Sequence, residues 1–257
     1  MGNDKRPIGI FDSGVGGISV LREAVKVLPN EDFIYFGDSK NAPYGTKPTD
    51  EVVGLSLECA KKLVELGVKA IVIACNTATA ASADILRKKY PEIPIVGVEP
   101  ALKPAVLYKE NSKILVMATE VTLRERKFKE LLKRYENCGT FYVLPCPGLM
   151  EWVENGVFSG DELDCFLNKL FAPYKDIKFD SAVLGCTHYP FLKYEIQKVI
   201  GENVKLFDGG FGTARELKRR LLCMNLGNSE QNKGKIEFRN SKEDESEIDL
   251  CKTLLKL

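Results

Sequence analysis

The chain lacks the features of a membrane, secreted or nucleic-acid-binding protein. No apolar run approaches the roughly 20 residues that a transmembrane helix needs, and we expect no membrane partner. Lysine plus arginine nearly balance aspartate plus glutamate, giving a formal net charge of +1, which gives no reason to expect nucleic acid as a partner. The first residues lack an apolar signal segment, so we expect a cytoplasmic protein.

Histidine and the usual cysteine patterns are also scarce. The chain has one histidine, His188, and eight cysteines, none of them in a C-x-x-C pair. A chain of this size without a signal segment favours reduced thiols over disulfides, and one histidine does not suit the common zinc sites, so no metal is expected. Cys59, Cys165 and Cys223 lie in helical patterns and are predicted to be core residues.

What is present is the composition of an ordinary globular protein. Hydrophobic residues make up 44% and charged residues 28% of the 257 positions, which suits one or two folded domains. Short apolar segments alternate with amphipathic ones, so βαβ units and a parallel α/β fold are predicted. The predicted strands are Pro7–Phe11, Asp32–Gly37, the run from Ala70, Ile95–Val98, Lys113–Ala118, Thr140–Leu144, the run from Ser181, Val204–Phe207 and Lys235–Arg239. The predicted helices are Ile18–Leu28, one capped by Thr49 and stopped by Gly67, Ala78–Tyr90, Leu123–Tyr135, Leu149–Glu154, Asp161–Phe171, Phe191–Ile200, Thr213–Met224 and Ile248–Leu257.

Two of these apolar runs end in the same way. One leads into Cys75-Asn76-Thr77 and the other into Cys186-Thr187-His188. Ligands of parallel α/β sheets bind beyond the carboxyl ends of the strands, so the two thiols could meet across one small ligand. The spacing supports two α/β halves, which we place at 1–98 plus 208–257 and at 99–207.

A glycine loop, Asp12-Ser13-Gly14-Val15-Gly16-Gly17, joins the first strand to the first helix. A strand, a glycine loop and a helix can bind phosphate, although neither G-x-G-x-x-G nor Gly-Lys-Ser/Thr is present. A nucleotide and a carboxylate are therefore the two alternative ligands for this loop. Asp12 is either a charged participant in a site or a helix cap.

The cysteine pair allows two kinds of chemistry. Cysteine with histidine suggests a thiol hydrolase, but hydrolysis leaves the second cysteine unexplained. Two thiols on opposite sides of a carbon can remove a proton from one face and deliver one to the other, which inverts a stereocentre. Asp12 is the candidate helper of Cys75, and His188, together with Glu154, that of Cys186.

Five motifs in this order, FDSGVGG, YFGDSKNAPYG, IACNTAT, VGVEPA and LGCTHYP, closely resemble the cofactor-independent aspartate/glutamate racemase family over residues 7–210. The resemblance implies two pseudo-symmetric α/β domains with the active site between them, no cofactor, a homodimer, and D-glutamate supplied for peptidoglycan synthesis. It places catalysis on Cys75 and Cys186, assisted by Asp12, Glu154 and His188. It places substrate binding on Asp12, Ser13, Asp38, Tyr44, Gly45, Asn76, Thr77, Thr119, Thr187 and His188.

The same resemblance gives the expected substrate and its alternatives. Aspartate-specific members typically carry glutamate at the position of His188, so His188 favours glutamate as the substrate. Racemisation of aspartate or another acidic amino acid is the alternative within enzymes, and a binding protein that has lost catalysis is the alternative outside them. Asp208-Gly209-Gly210 departs from the Asp-Ser-Gly more usual in the family, and the tail after Asn225 matches it weakly.

Overall fold

The computed structural model describes residues 3–230 and 232–257. Within these ranges the chain forms nine strands and eleven α-helices, joined by short loops and 3₁₀ turns. The strands are β1 (Ile8–Asp12), β2 (Phe33–Gly37), β3 (Ala70–Ile73), β4 (Ile95–Gly97), β5 (Ser112–Ala118), β6 (Gly139–Pro145), β7 (Ser181–Leu184), β8 (Lys205–Asp208) and β9 (Ile236–Asn240). The helices are α1 (Ile18–Val27), α2 (Thr49–Glu65), α3 (Asn76–Lys89), α4 (Leu102–Tyr108), α5 (Glu120–Arg124), α6 (Arg126–Arg134), α7 (Leu149–Glu154), α8 (Asp161–Phe171), α9 (Lys193–Ile200), α10 (Gly210–Cys223) and α11 (Glu245–Lys256).

The strands form two parallel sheets. The first has the order β4-β3-β1-β2-β9 and the second the order β6-β5-β7-β8. The strands β1, β2, β3 and β7 are buried along their whole length, as continuous apolar runs in a parallel sheet require. The predicted parallel α/β fold is confirmed.

The carboxyl-terminal segment returns to the first sheet. The strand β9 pairs with β2 in parallel, and α10 and α11 pack on α1. One hydrophobic cluster runs through both halves, joining Ile18 of α1 to Val153 of α7 and Leu254 of α11. The pairing of β9 with β2 agrees with the division into 1–98 plus 208–257 and 99–207, which stays a prediction.

Several local predictions need correction. The helix predicted over Leu123–Tyr135 is two helices, because Glu125 is extended (φ −65°, ψ 140°) and accepts a hydrogen bond from Thr49 Oγ1. Thr49 is the first residue of α2 rather than its cap. The helix α10 begins at Gly210, three residues early, where Asp208 Oδ1 accepts the Gly210 N–H. The sequence pattern does not predict α4, whose Pro104 lies in the first turn, where proline is tolerated.

Two cysteines predicted for the core are exposed. The buried face of α8 consists of Leu163, Leu167 and Phe171, and Cys165 lies off that face. The buried face of α10 ends at Leu221, and Cys223 is exposed like Cys165. Cys59 is buried as predicted.

None of the helices within the described ranges is both long and apolar enough to span a bilayer.

Candidate active site

Cys75 lies just beyond the end of β3 and caps helix α3. Its sulfur accepts the Ala78 N–H at 3.4 Å and lies 3.8 Å from Ser13 Oγ. Burial raises the pKa of the Cys75 thiol, and the charges of Asp12 and Cys186 raise it further, against the Ala78 and Ser13 contacts. These surroundings favour the protonated thiol in the unliganded protein.

Cys186 lies just beyond the end of β7, in the other sheet, and has different partners. Its sulfur is 3.5 Å from His188 Nδ1, and His188 Nε2 is 2.6 Å from Glu154 Oε1. The histidine is 1% exposed. The three side chains form a continuous chain of polar contacts from a carboxylate to a thiol.

This chain of contacts favours the ionised forms of both His188 and Glu154. Burial lowers the pKa of His188, but the hydrogen bond and charge of Cys186 and those of Glu154 raise it well above its ordinary value. Burial raises the pKa of Glu154, but the bond and charge of His188, the Val15 N–H and the charge of Lys242 outweigh it, and the pKa lies below its ordinary value. The imidazole ring is therefore placed to exchange a proton with the Cys186 sulfur.

The glycine loop after β1 packs directly on this histidine–glutamate pair. The Val15 N–H donates to Glu154 Oε1 at 2.9 Å. A β-carbon at Gly14 would lie 1.9 Å from Glu154 Oε1, and one at Gly16 would lie 2.3 Å from His188 Nδ1. The loop therefore presents a backbone N–H to a carboxylate, and that carboxylate belongs to the other half of the protein.

Asp12 lies at the end of β1, next to β3 in the sheet, and is fully buried. Its Oδ2 accepts the Gly14 N–H at 3.1 Å and its Oδ1 accepts the Thr187 hydroxyl at 3.3 Å. Burial raises the pKa of Asp12, while the charge of His188 and the Gly14 N–H lower it. Asp12 thus connects the two halves.

The remaining predicted substrate-binding residues form two groups. Tyr44 donates to Asp38 Oδ2 at 2.6 Å, and both are buried. Thr77 Oγ1 lies 3.0 Å from Thr119 Oγ1, and a β-carbon at Gly45 would lie 2.9 Å from the Thr119 side chain. Each group is therefore held by contacts among its own members.

Asn76 differs because its Oδ1 is buried without a partner at the first residue of α3. A buried polar atom without a partner is unusual, and a ligand would supply one. Gly45 and Thr119 also line a cavity of about 360 Å³ together with Cys146 and Tyr189. In residues 3–230 and 232–257, no three histidine, cysteine, aspartate or glutamate side chains are grouped to hold a metal ion.

Two residues that contact the loops of this region are not indicated by the sequence. Tyr35, in the middle of β2, donates its hydroxyl to the Gly14 carbonyl at 2.7 Å. Ser241, in the tail that matches the family weakly, donates its N–H to the Gly37 carbonyl and accepts the Lys40 N–H, both at 2.9 Å. Tyr35 looks like one more member of an apolar run, and no sequence motif marks the tail.

The charged pair predicts a specific pH dependence of stability. A His188 pKa above its ordinary 6.5 adds stability below pH 6.5 that is lost as the pH rises through the folded-state pKa. A Glu154 pKa below its ordinary 4.5 adds stability above pH 4.5 that is lost as the pH falls through the folded-state pKa. Both groups therefore contribute their full stabilisation between pH 4.5 and pH 6.5.

We expect the free energy of unfolding of wild type to exceed that of His188→Gln most in this window. Above it the difference shrinks by at most about 1.4 kcal/mol per pH unit for one proton. Urea unfolding of both proteins at a series of pH values measures the difference. A difference that grows towards alkaline pH would contradict the charged pair.

Comparison with known proteins assigns the chain to a family. The family model Asp/Glu/Hydantoin racemase matches residues 8–216. The glutamate racemase of Clostridium novyi is 53% identical over 244 residues, covering 95% of this chain and 94% of its own length. That of Clostridium botulinum is 50% identical over 256 residues, covering 100% and 99%. The crystal structure of the Francisella tularensis glutamate racemase, in complex with D-glutamate, superposes with a TM-score of 0.85 at 30% identity, covering 99% of this chain and 95% of its own. The chain therefore belongs to the Asp/Glu/hydantoin racemase family, in its glutamate racemase group, and is an amino-acid racemase.

Proposed function

We propose that this racemase interconverts L- and D-glutamate without a cofactor, by two-base proton transfer between Cys75 and Cys186. The observation that carries the proposal is that two buried cysteines, each just beyond the end of a strand in a different sheet, have different polar contacts. Cys75 is held as a thiol by burial and the charge of Asp12, whereas Cys186 faces the imidazole of His188. The names of the relatives supply the substrate.

Each cysteine is the base for one direction of the reaction. In one direction Cys186, as a thiolate, removes the Cα proton of one enantiomer and becomes a thiol. The electron pair left on Cα is delocalised into the α-carboxylate. The Cys75 thiol then gives its proton to the opposite face of Cα, which forms the other enantiomer and leaves a Cys75 thiolate.

The reverse reaction starts from the Cys75 thiolate. The Ala78 N–H and the Ser13 hydroxyl contact this sulfur, and both lower the Cys75 pKa. On the other side, the His188 imidazole lies next to the Cys186 sulfur when that thiol gives up its proton. By family resemblance, Cys75 takes the proton from D-glutamate, so Cys186 takes it from L-glutamate.

Substrate binding is proposed at the residues that follow the two cysteines and at the loops after β1 and β2. The free Asn76 Oδ1 and the N-terminus of α3 can meet the amino and carboxylate groups of an amino acid, because a helix N-terminus attracts anions. Thr77, Thr119 and Thr187 offer hydroxyls; that of Thr77 contacts Thr119, and that of Thr187 donates to Asp12. Asp12, Ser13, His188 and the Asp38–Tyr44–Gly45 loop complete the proposed site.

Three further properties are proposed by family resemblance. The protein acts in the cytoplasm, forms a homodimer, and supplies D-glutamate for peptidoglycan synthesis and cell shape. Growth of a D-glutamate auxotroph carrying this gene, without added D-glutamate, tests the biosynthetic role. Light scattering of the purified protein tests the dimer.

The catalytic proposal predicts racemisation by the protein alone. Purified enzyme with no added cofactor should convert either enantiomer of glutamate to an equal mixture, followed by circular dichroism. In deuterated water the product should carry deuterium at Cα, because the second thiol exchanges with solvent before it donates. Activity that disappears on removal of pyridoxal phosphate, or that requires added metal, would contradict the two-thiol mechanism.

A substrate panel tests the two alternatives. Faster racemisation of aspartate or another acidic amino acid would replace glutamate as the substrate. Binding of glutamate by calorimetry without any loss of Cα hydrogen would indicate a binding protein. The presence of both cysteines with their contacts argues against the second alternative.

A further inference from the structure

Tyr35 contacts the glycine loop through its hydroxyl. It lies in the middle of β2, is fully buried, and donates to the Gly14 carbonyl at 2.7 Å. Burial raises the Tyr35 pKa well above its ordinary value, and the charge of Asp12 raises it further. The hydroxyl is therefore a permanent donor.

The Gly14 carbonyl and the Val15 N–H are the two ends of one peptide group. The carbonyl accepts from Tyr35, and the N–H donates to Glu154 Oε1 at 2.9 Å. Because a peptide group is planar, fixing the carbonyl also fixes the direction of the N–H. Tyr35 therefore sets where this N–H points.

From that N–H the polar contacts continue to a proposed catalytic sulfur. Glu154 Oε1 lies 2.6 Å from His188 Nε2, and His188 Nδ1 lies 3.5 Å from Cys186 Sγ. Hydrogen bonds in such a chain polarise one another. A donor at the Gly14 carbonyl makes the Val15 N–H a better donor, which stabilises the Glu154 carboxylate and with it the His188 imidazolium.

The ring of Tyr35 is supported by the last strand of the chain. Tyr35 and Phe238 are paired in the register of β2 and β9, with ring centroids 6.4 Å apart. Phe238 lies outside the residues that the family model matches. The carboxyl-terminal strand thus helps to hold the hydroxyl in place.

We propose that Tyr35 is a positioning residue for the Cys186 half of the reaction, acting through the Gly14–Val15 peptide and Glu154. This inference rests on the proposed two-thiol function. Neither the tyrosine nor its hydroxyl touches the reacting carbon. Because its contacts lead through Glu154 to His188, its effect falls mainly on the thiol that His188 contacts.

Tyr35→Phe tests the proposal because it keeps the ring and removes only the hydroxyl. Glutamate deuterated at Cα is incubated with enzyme in water, and loss of deuterium from each enantiomer is followed by NMR. Loss from L-glutamate, which Cys186 deprotonates, should slow about tenfold. This factor corresponds to the net free energy of about one hydrogen bond. Loss from D-glutamate should slow no more than about threefold.

Tyr174→Phe is the matched control. The Tyr174 hydroxyl, in the turn after α8, also donates to a backbone carbonyl, that of Val143 in β6, at 3.0 Å. Its exchange rates should equal those of wild type for both enantiomers. If Tyr35→Phe behaves like Tyr174→Phe, or slows both enantiomers alike, the positioning role is wrong.

A double-mutant cycle tests the route through Glu154. Adding Tyr35→Phe to Glu154→Gln should slow exchange from L-glutamate by less than about twofold, because residues in one network are not additive. Full multiplication of the two effects would overturn the proposal. Wild-type enzyme without racemase activity would instead overturn the proposed function.

Thermal unfolding of each variant shows whether it folds. If Tyr35→Phe does not fold, Phe238→Leu decides, because it keeps the hydroxyl and removes the ring that supports it. Relative to wild type, exchange from L-glutamate that slows at least about twofold more than exchange from D-glutamate would support the proposal. Equal slowing for the two enantiomers would overturn it.

Discussion

Cys75→Ser and Cys186→Ser are each expected to reduce racemisation of glutamate by about 10³-fold or more. A hydroxyl is a far weaker acid than a thiol, so a serine cannot become the base at neutral pH. The contacts of the two sulfurs, Ala78 and Ser13 for Cys75 and His188 for Cys186, fit a serine oxygen with little rearrangement. The loss therefore reports on proton transfer rather than on folding, and circular dichroism of L- or D-glutamate solutions measures it.

Two other cysteines provide matched controls. Cys251 is buried in α11 and Cys165 is exposed on α8, and neither is part of the proposed machinery. Serine at either position should leave the rate within a few fold of wild type. Comparable losses in all four variants, or full activity in either Cys75→Ser or Cys186→Ser, would contradict the two-base proposal.

Gly14→Ala is expected to disable the enzyme through a clash with Glu154. The new β-carbon would lie 1.9 Å from Glu154 Oε1, so the carboxylate must leave the Val15 N–H and His188. The overpacking should cost about 1–3 kcal/mol of the free energy of unfolding. Racemisation should fall by about 10²-fold, because the Cys186 side loses its assisting pair. Urea unfolding and the racemisation assay measure the two effects.

Gly54→Ala is the control for the glycine substitution. Gly54 lies inside α2 with no atom within 4 Å of the added carbon. Alanine there should stabilise the protein by about 0.5–1 kcal/mol and leave activity unchanged. Wild-type activity in Gly14→Ala would show that the glutamate can act from another position.

The parallel sheets could be predicted because their strands are continuous apolar runs. The bounds of β1, β2 and β3 can be predicted to within one or two residues, since burial on both faces leaves few polar interruptions. The break at Glu125 could not be predicted, because it depends on Thr49, a residue 76 positions away. Helix periodicity carries no information about such a contact.

The candidate site also has residues that local sequence patterns predict and residues that they do not. Cys75 and Cys186 were found from the residues alone, because a nucleophile followed by small polar residues after a buried strand is a local pattern. Glu154 comes from a short helix 34 residues before His188, and the sequence names it as a helper of Cys186 without indicating its hydrogen bond to His188. Tyr35 was missed because a single hydroxyl in a buried β-strand looks like packing.

The position of β9 has a consequence for the order of events during synthesis. Its partner β2 ends at Gly37, whereas β9 begins at Ile236, about 200 residues later. At 5–20 residues per second, a ribosome needs roughly 10–40 s to cover that stretch. All strands of the second sheet leave the ribosome in that interval, so it can fold first. Until β9 arrives, the outer edge of β2 presents unpaired backbone groups, the kind of edge at which nascent chains associate with one another.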